Sequence, residues 1–313
     1  MKKTTKVFWS MCAALVVMGG VFMTAGAVMG ASRSIEIGRD WGTGFTNYHI
    51  DEQALPAFQK IDIGVIAADI EVVPSNHYGL KLDLDGRSNE TKLVWSVTNG
   101  VLEVKEEHEE GYFGWFDPAA WVSFFSEWRQ SRTFIPKGEI FVYLPAGAQM
   151  ERISLATVDG ELIASGLQAN GFVSSSVSGD VELTNCKFSS TELNLVDGDV
   201  EVKDSHLGRT TIDTVSNDIK LERVTTDSFS YNAVDADLYF SGKPLGETEI
   251  TGISGDMEFE IDGNRGDYRI ETEEGKKRVK VYDGSGDETQ EAPGQPNRIS
   301  ISTMGGECKI RFR

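Results

Sequence analysis

Histidine, cysteine, proline and basic side chains are all scarce in this 313-residue chain. It holds 4 His, 3 Cys, 8 Pro and 30 Lys+Arg against 49 Asp+Glu, for a formal charge of −19. Three Cys exclude a disulfide-rich scaffold, and no C-x-x-C or Cys/His spacing marks a zinc or redox site. Cys12 lies in an N-terminal apolar run. Cys186 and Cys308 are read as buried apolar fillers, with a disulfide between them as the alternative. His49, His77, His108 and His206 are scattered, with no partner at catalytic spacing. G-x-G-x-x-G, G-x-x-x-x-G-K-[ST] and G-x-S-x-G phrases are absent. Paired carboxylates carry no weight where acids are everywhere. No cofactor is implied, and the reading is non-enzymatic. A surface short of Lys and Arg repels phosphate backbones, so nucleic acid is not an expected partner.

What the chain has in abundance is repetition. A seven-residue phrase recurs six times: VDGELIA at Val158, VSGDVEL at Val177, VDGDVEV at Val196, VSNDIKL at Val215, VDADLYF at Val234 and ISGDMEF at Ile253. The starts are 19 residues apart each time. An unbroken fixed period marks a stacked repeat architecture. Upstream alternation such as Thr191-Glu-Leu193-Asn-Leu195 supplies a second strand per repeat. The expected fold is therefore all-β, a β-solenoid-like stack of 19-residue, two-strand repeats. An antiparallel β meander of the same period is the alternative.

Within each phrase the first Val and the residues four and six places on are assigned to the core. Between them lies a tight corner whose third residue is Gly160, Gly179, Gly198, Asn217, Ala236 or Gly255. Gly and Asn accept positive φ, so Ala236 is expected to be strained or differently shaped. The remaining connection, about six residues, is expected to be looser. Stacking at about 4.8 Å puts Glu161, Asp180, Asp199, Asp218, Asp237 and Asp256 in one column. Solvated corner acids are the first reading of that column. A calcium ladder over Asp180, Asp199, Asp218, Asp237 and Asp256 is the second, although the nine-residue calcium-binding phrase does not match.

Outside the repeats, residues 1–6 carry Lys2, Lys3 and Lys6, and residues 7–32 are uncharged, long enough to span a bilayer. The positive-inside tendency predicts a transmembrane signal-anchor with a cytoplasmic N-terminus and an extracytoplasmic body. Secretion after cleavage near Ala27 or Ala31 is the alternative. Residues 33–57 read as a linker with a short strand. Residues 58–150 form a β lead-in, where Ile66-Ala-Ala-Asp-Ile-Glu-Val resembles the repeat phrase and Asn99-Gly100 signals a hairpin. Repeats fill 151–262, and 263–313 are terminal rungs with an acidic loop at 284–297. There, Lys309, Arg311 and Arg313 are expected to guard an edge strand.

One stretch breaks the pattern. Residues 106–132 are acidic, then strongly aromatic. Asp117-Pro118 reads as a helix start, and Trp121, Phe124, Phe125 and Trp128 fall on one helical face. With Trp115 and Phe116 these form the candidate interaction site: either a cap on the β stack or a lip that docks on membrane or a partner.

The repeated V-S/D-G-D-V-E-V phrases, after one N-terminal span and a β-rich lead-in, resemble the DUF4097 family of bacterial envelope proteins, known under the label "putative adhesin". The resemblance covers Phe58 to the C-terminus and excludes the aromatic insert. It implies an all-β repeat fold at the bacterial surface and carries over no functional residues. Two functional expectations follow. One is a membrane-anchored surface-binding or adhesion module meeting a protein or glycan at the cell surface. The other is an envelope-stress or signalling component that touches membrane or a membrane partner through the insert.

Overall fold

Alternation builds the walls of this molecule. In Thr191–Leu195 the odd positions are buried and Glu192 points outward, the two-residue period of a strand. The computed structural model describes residues 45–88, 91–108, 137–272, 279–282 and 295–313. Among the described residues the chain is all-β apart from one 3-10 turn at Arg265–Asp267. Residues 7–32, 109–136 and 283–294 lie outside the described residues, and with them the expected membrane span, the aromatic side chains of the insert and most of the acidic loop.

The lead-in comprises β1 (Phe45–Ala54), β2 (Lys60–Ala67), β3 (Asp69–Ser75), β4 (Gly79–Ser88), β5 (Thr91–Thr98), β6 (Val101–His108) and β7 (Lys137–Pro145). The repeats comprise β8 (Gln149–Asp159), β9 (Leu162–Ser165), β10 (Gln168–Ser178), β11 (Val181–Thr184), β12 (Lys187–Asp197), β13 (Val200–Lys203), β14 (His206–Ser216), β15 (Asp218–Asp235), β16 (Asp237–Pro244), β17 (Glu247–Ser254) and β18 (Met257–Ile261). The chain ends with β19 (Tyr268–Thr272), β20 (Val279–Tyr282), β21 (Asn297–Thr303) and β22 (Cys308–Phe312).

These strands form one continuous sheet wrapped into two walls. In one wall β8, β10, β12, β14, the second half of β15, and β17 pair in parallel; Leu193, for example, faces Ser174 on one side and Ile212 on the other. In the other wall β9, β11, β13, the first half of β15, β16 and β18 do the same, with Val200 between Val181 and Ile219. Each step between rungs is 19 residues, so equivalent side chains stack. The parallel pairing of the repeats rules out the meander. Inward residues of both walls, such as Leu193, Leu195, Val200 and Val202, meet in a single core at 0–1% exposure. Each fully buried aliphatic side chain there contributes ~1.5–3 kcal/mol.

The lead-in supplies an extra rung, as its phrase suggested: β2 and β3 pair in parallel with β8 and β9. Antiparallel strands then close that end. β4 pairs with β1 and β7, and β5 with β6 through Asn99 and Gly100 at φ 52° and 75°. β1 falls within the stretch read as linker.

Three expectations need correction. The connection after each corner phrase is a second tight corner, not a loose loop. Gly166, Asn185, Asp204, Arg223 and Gly242 all have positive φ there. Arg223 is an unusual residue for φ 54°, and its guanidinium forms a bidentate pair with the Asp204 carboxylate of the preceding rung at 2.6 and 2.8 Å. Second, β22 is not an edge. It lies between β18 and β20, as β21 lies between β17 and β19, so the last rung is β19–β20. Lys309, Arg311 and Arg313 instead pair with Glu307, Glu258 and Glu260. Third, Cys186 and Cys308 are buried, free thiols, so the disulfide alternative falls. Burial pushes the Cys308 thiol up to about 12.

The first corner depends on backbone contact. A Cβ on Gly198, at φ 123°, would sit 2.5 Å from the Gly179 carbonyl oxygen. A Cβ on Gly171 would meet nothing nearer than the Ser190 hydroxyl at 3.6 Å. Gly198→Ala is expected to cost ~3 kcal/mol in urea unfolding, and Gly171→Ala close to nothing. Equal costs at the two sites would refute close approach as the constraint.

Candidate functional site

The corner that recurs in every rung carries three parallel columns of side chains. The middle column is Gly160, Gly179, Gly198, Asn217, Ala236, Gly255 and Gly306, and each of its glycines lies against the backbone of the rung before it. Asn217 and Ala236 avoid positive φ. Both turn inward and are buried, at 7% and 4% exposure. The Asn217 amide donates to the Gly198 carbonyl, and its oxygen accepts from the Thr214 hydroxyl. Ala236 is therefore differently shaped, not strained. The two exceptional corners, with Asp199, Ser216, Asp218, Asp235 and Asp237, line a shallow depression of about 320 Å³.

The second column is acidic, and its carboxylates have a defined job. The Asp199 N–H donates to Asp180 Oδ1 at 2.8 Å, and the Asp218 N–H to Asp199 Oδ1 at 3.0 Å. The Asp256 N–H donates to Asp237 Oδ1 at 2.7 Å, and the Glu307 N–H to Asp256 Oδ1 at 2.7 Å. Asp69 of the lead-in does the same for Glu161 at 2.8 Å. Each Asp thus satisfies an N–H that the turning backbone leaves unpaired. Glu161 makes no such bond to Asp180, and Asp237 N–H turns instead to the Asn217 carbonyl at 3.1 Å. Burial and the neighbouring Glu182, Asp69, Asp180 and Glu71 hold the Glu161 carboxyl above its ordinary range. Burial and Asp69 do so for Asp159. Among the described residues no three His, Cys, Asp or Glu side chains converge as metal ligands.

The third column corrects the sequence reading. The first residue of each phrase was assigned to the core. Instead Ile66, Val158, Val177, Val196, Val215, Val234, Ile253 and Met304 stack in register on the outside of the wall. None belongs to the core cluster or to the partly buried residues packed on it. The six from Val158 to Ile253 are half-buried, and the end residues Ile66 and Met304 are 37% and 57% exposed. Parity was the missed signal: Leu193 and Leu195 point inward, so Val196 must point out.

Beside this ladder runs a stripe of small polar residues that includes Ser175, Asn194 and Asp213, all 6% exposed or less. Burial raises the Asp213 carboxyl, opposed by a 2.7 Å bond from the Asn232 amide. The aromatic candidates Trp115, Phe116, Trp121, Phe124, Phe125 and Trp128 lie outside the described residues.

Walls of parallel strands, tight corners and in-register columns define an all-β, solenoid-like repeat protein. Residues 58–311 match the Toastrack DUF4097 family model, and the chain belongs to that family. No curated protein matches it. Among solved structures it is similar to a "putative adhesin" from Bacteroides fragilis, with 10% identity over 88% of this chain and 100% of that one, at TM-score 0.43. It is also similar to a "putative lipid binding protein" from Parabacteroides distasonis, with 14% identity over 86% and 98%, at TM-score 0.46. Likeness of this degree assigns no function.

The acid column makes a direct prediction. Asp199→Ala removes the acceptor for the Asp218 N–H and is expected to lower the melting temperature by ~2–4 °C, about 1 kcal/mol. Asp199→Asn keeps an acceptor oxygen, relieves repulsion and is expected to be neutral or stabilising. Melting curves in Ca²⁺ and in EDTA should superimpose. A Ca²⁺-dependent rise lost in Asp199→Asn would restore the calcium ladder.

Proposed function

We propose that this chain is a non-catalytic, membrane-tethered binding module whose body lies outside the cytoplasm and works in adhesion at the cell surface. The tether is residues 7–32, with residues 1–6 inside. The observation that carries the reading is repetition of surface: the corner edge presents the same three columns on rung after rung. A repeated surface on a stiff stack suits attachment to an extended or repeating partner, protein or glycan. Cross-rung ion pairs support that stiffness, as at Lys220 with Glu201, and at Arg298 with Glu247 and Glu271.

The second reading, a signalling component that contacts membrane through the aromatic insert, draws on the helical spacing of Trp121, Phe124, Phe125 and Trp128. Deleting residues 109–136 separates the two while keeping Glu106, whose carboxylate accepts the Ile66 N–H at 2.9 Å. The full chain in lipid nanodiscs is expected to capture a glycan or protein from cell-envelope extract, and the deletion variant to capture the same partner. Capture that vanishes with the deletion favours the second reading. No capture by either form overturns the adhesion reading.

A further inference from the structure

Among the described residues, the apolar ladder is a surface feature that the core does not use. Eight stacked aliphatic side chains at ~4.8 Å per rung make a ridge about 34 Å long. Mutual packing of β-branched neighbours stabilises strands, but Thr would serve that purpose and stay wettable. Four residues N-terminal, the outward column includes Glu192, Thr211, Ser230 and Glu249. On the ladder, by contrast, not one of the eight rungs is polar. An unbroken apolar stripe on a chain this acidic marks a contact surface.

The neighbouring charge says what the contact is. Some acids on the walls are neutralised: Glu201 by Lys203 and Lys220, Glu258 by Arg311, Glu260 by Arg313. The corner column three residues beyond the ladder is not. Among the described residues, Asp180, Asp199, Asp218 and Asp237 form no ion pair with Lys or Arg, although each wall has basic residues to spare for others. The oxygens of Asp180, Asp199 and Asp237 that face the backbone are occupied by N–H groups, which fixes those three carboxylates in the row while leaving their charge unbalanced. The molecule thus offers an apolar ridge with an uncompensated anionic rail alongside it.

We propose that this edge binds a cationic amphipathic helical segment, its apolar face on the Val ladder and its Lys or Arg side chains over the acid column. The inference deepens the binding-module reading and rests on it. A helix fits better than a strand, because the wall strands that carry the ladder are already paired on both sides and offer no free edge. A helix satisfies its own backbone and needs only side-chain contact. Its turns, ~5.4 Å apart, come close to the rung spacing, and about 22 residues span the ladder. The acid rail repels anionic lipid headgroups and steers basic segments toward the ridge.

The test uses the full chain in nanodiscs of zwitterionic lipid, with empty nanodiscs subtracted. Three labelled 22-residue probes are titrated by fluorescence anisotropy: an amphipathic Leu/Lys peptide, a Leu/Glu peptide of the same pattern, and a Leu/Lys peptide of scrambled order. The amphipathic Leu/Lys peptide should bind at least tenfold more tightly than either other probe, and more weakly as salt rises. Two quadruple variants locate the site: Val177→Thr with Val196→Thr, Val215→Thr and Val234→Thr, and Asp180→Asn with Asp199→Asn, Asp218→Asn and Asp237→Asn. Each should weaken binding about tenfold, and the Asn set should also flatten the salt dependence. If a quadruple variant loses the wild-type circular dichroism, the single Val196→Thr and Val215→Thr variants replace it, each expected to weaken binding two- to threefold. A photo-crosslinker on the Leu/Lys peptide should attach to segments containing Val177–Asp180 and Val215–Asp218. Binding that is absent, equal for the Leu/Glu probe, unchanged in both variants, or crosslinked only elsewhere overturns the proposal. If the chain still captures an envelope partner in that case, only this inference falls and the binding-module reading stands.

Discussion

At each first corner the carbonyl of one rung occupies the space where a side chain of the next would begin. The Gly255 oxygen lies 1.8 Å from where a Cβ on Gly306 would be, and the Ala68 oxygen 2.1 Å from one on Gly160. This exclusion lets successive corners stack backbone on backbone, and the rest of the architecture follows from it. With the corners in register, walls pair in parallel and identical positions line up. Where the residue is not Gly, the chain turns the side chain inward, as Asn217 and Ala236 do, and supplies a local hydrogen bond or core contact instead.

Stacked backbone creates a second requirement. A turning strand leaves an N–H without a ladder partner, and a buried unpaired N–H is costly. On most rungs the acid three residues after the ladder residue meets that need with a carboxylate of the right reach, as at Asp69, Asp180, Asp199, Asp237 and Asp256. These five acceptors are Asp, and Glu161 makes no such bond. Like charges then stack at strand spacing, which is unfavourable unless each is stabilised. The N–H donors supply that stabilisation and keep the rail of charge in place. One residue thus closes the backbone and charges the surface.

Much of this was legible in the sequence. The period, the corner glycines, the acid column, the early rung at Ile66 and the Asn99-Gly100 hairpin are all local or strictly periodic signals. Three features were not. The second corner hides behind mixed residues, because Asn185, Asp204 and Arg223 share a left-handed backbone without sharing a side-chain type. The order of the last rungs is a choice of pairing partner, and nothing in β21 and β22 announces that they lie inside β19 and β20. The ladder of Val was misassigned because an aliphatic residue in every repeat looks like core. Only the parity set by Leu193 and Leu195 puts Val196 outside.

The picture is a stiff parallel stack with a closed apolar interior and one edge where apolar and anionic columns run side by side. That edge depends on which way the first residue of each phrase points. The most direct measurement places cysteine at Val196 and, separately, at Leu195, in a chain carrying Cys12→Ser and the two buried native thiols. In the native state Val196→Cys should be alkylated readily, while Leu195→Cys should stay protected until denaturant opens the stack. Protection at 196 with labelling at 195 would put the ladder in the core and contradict this account of the surface.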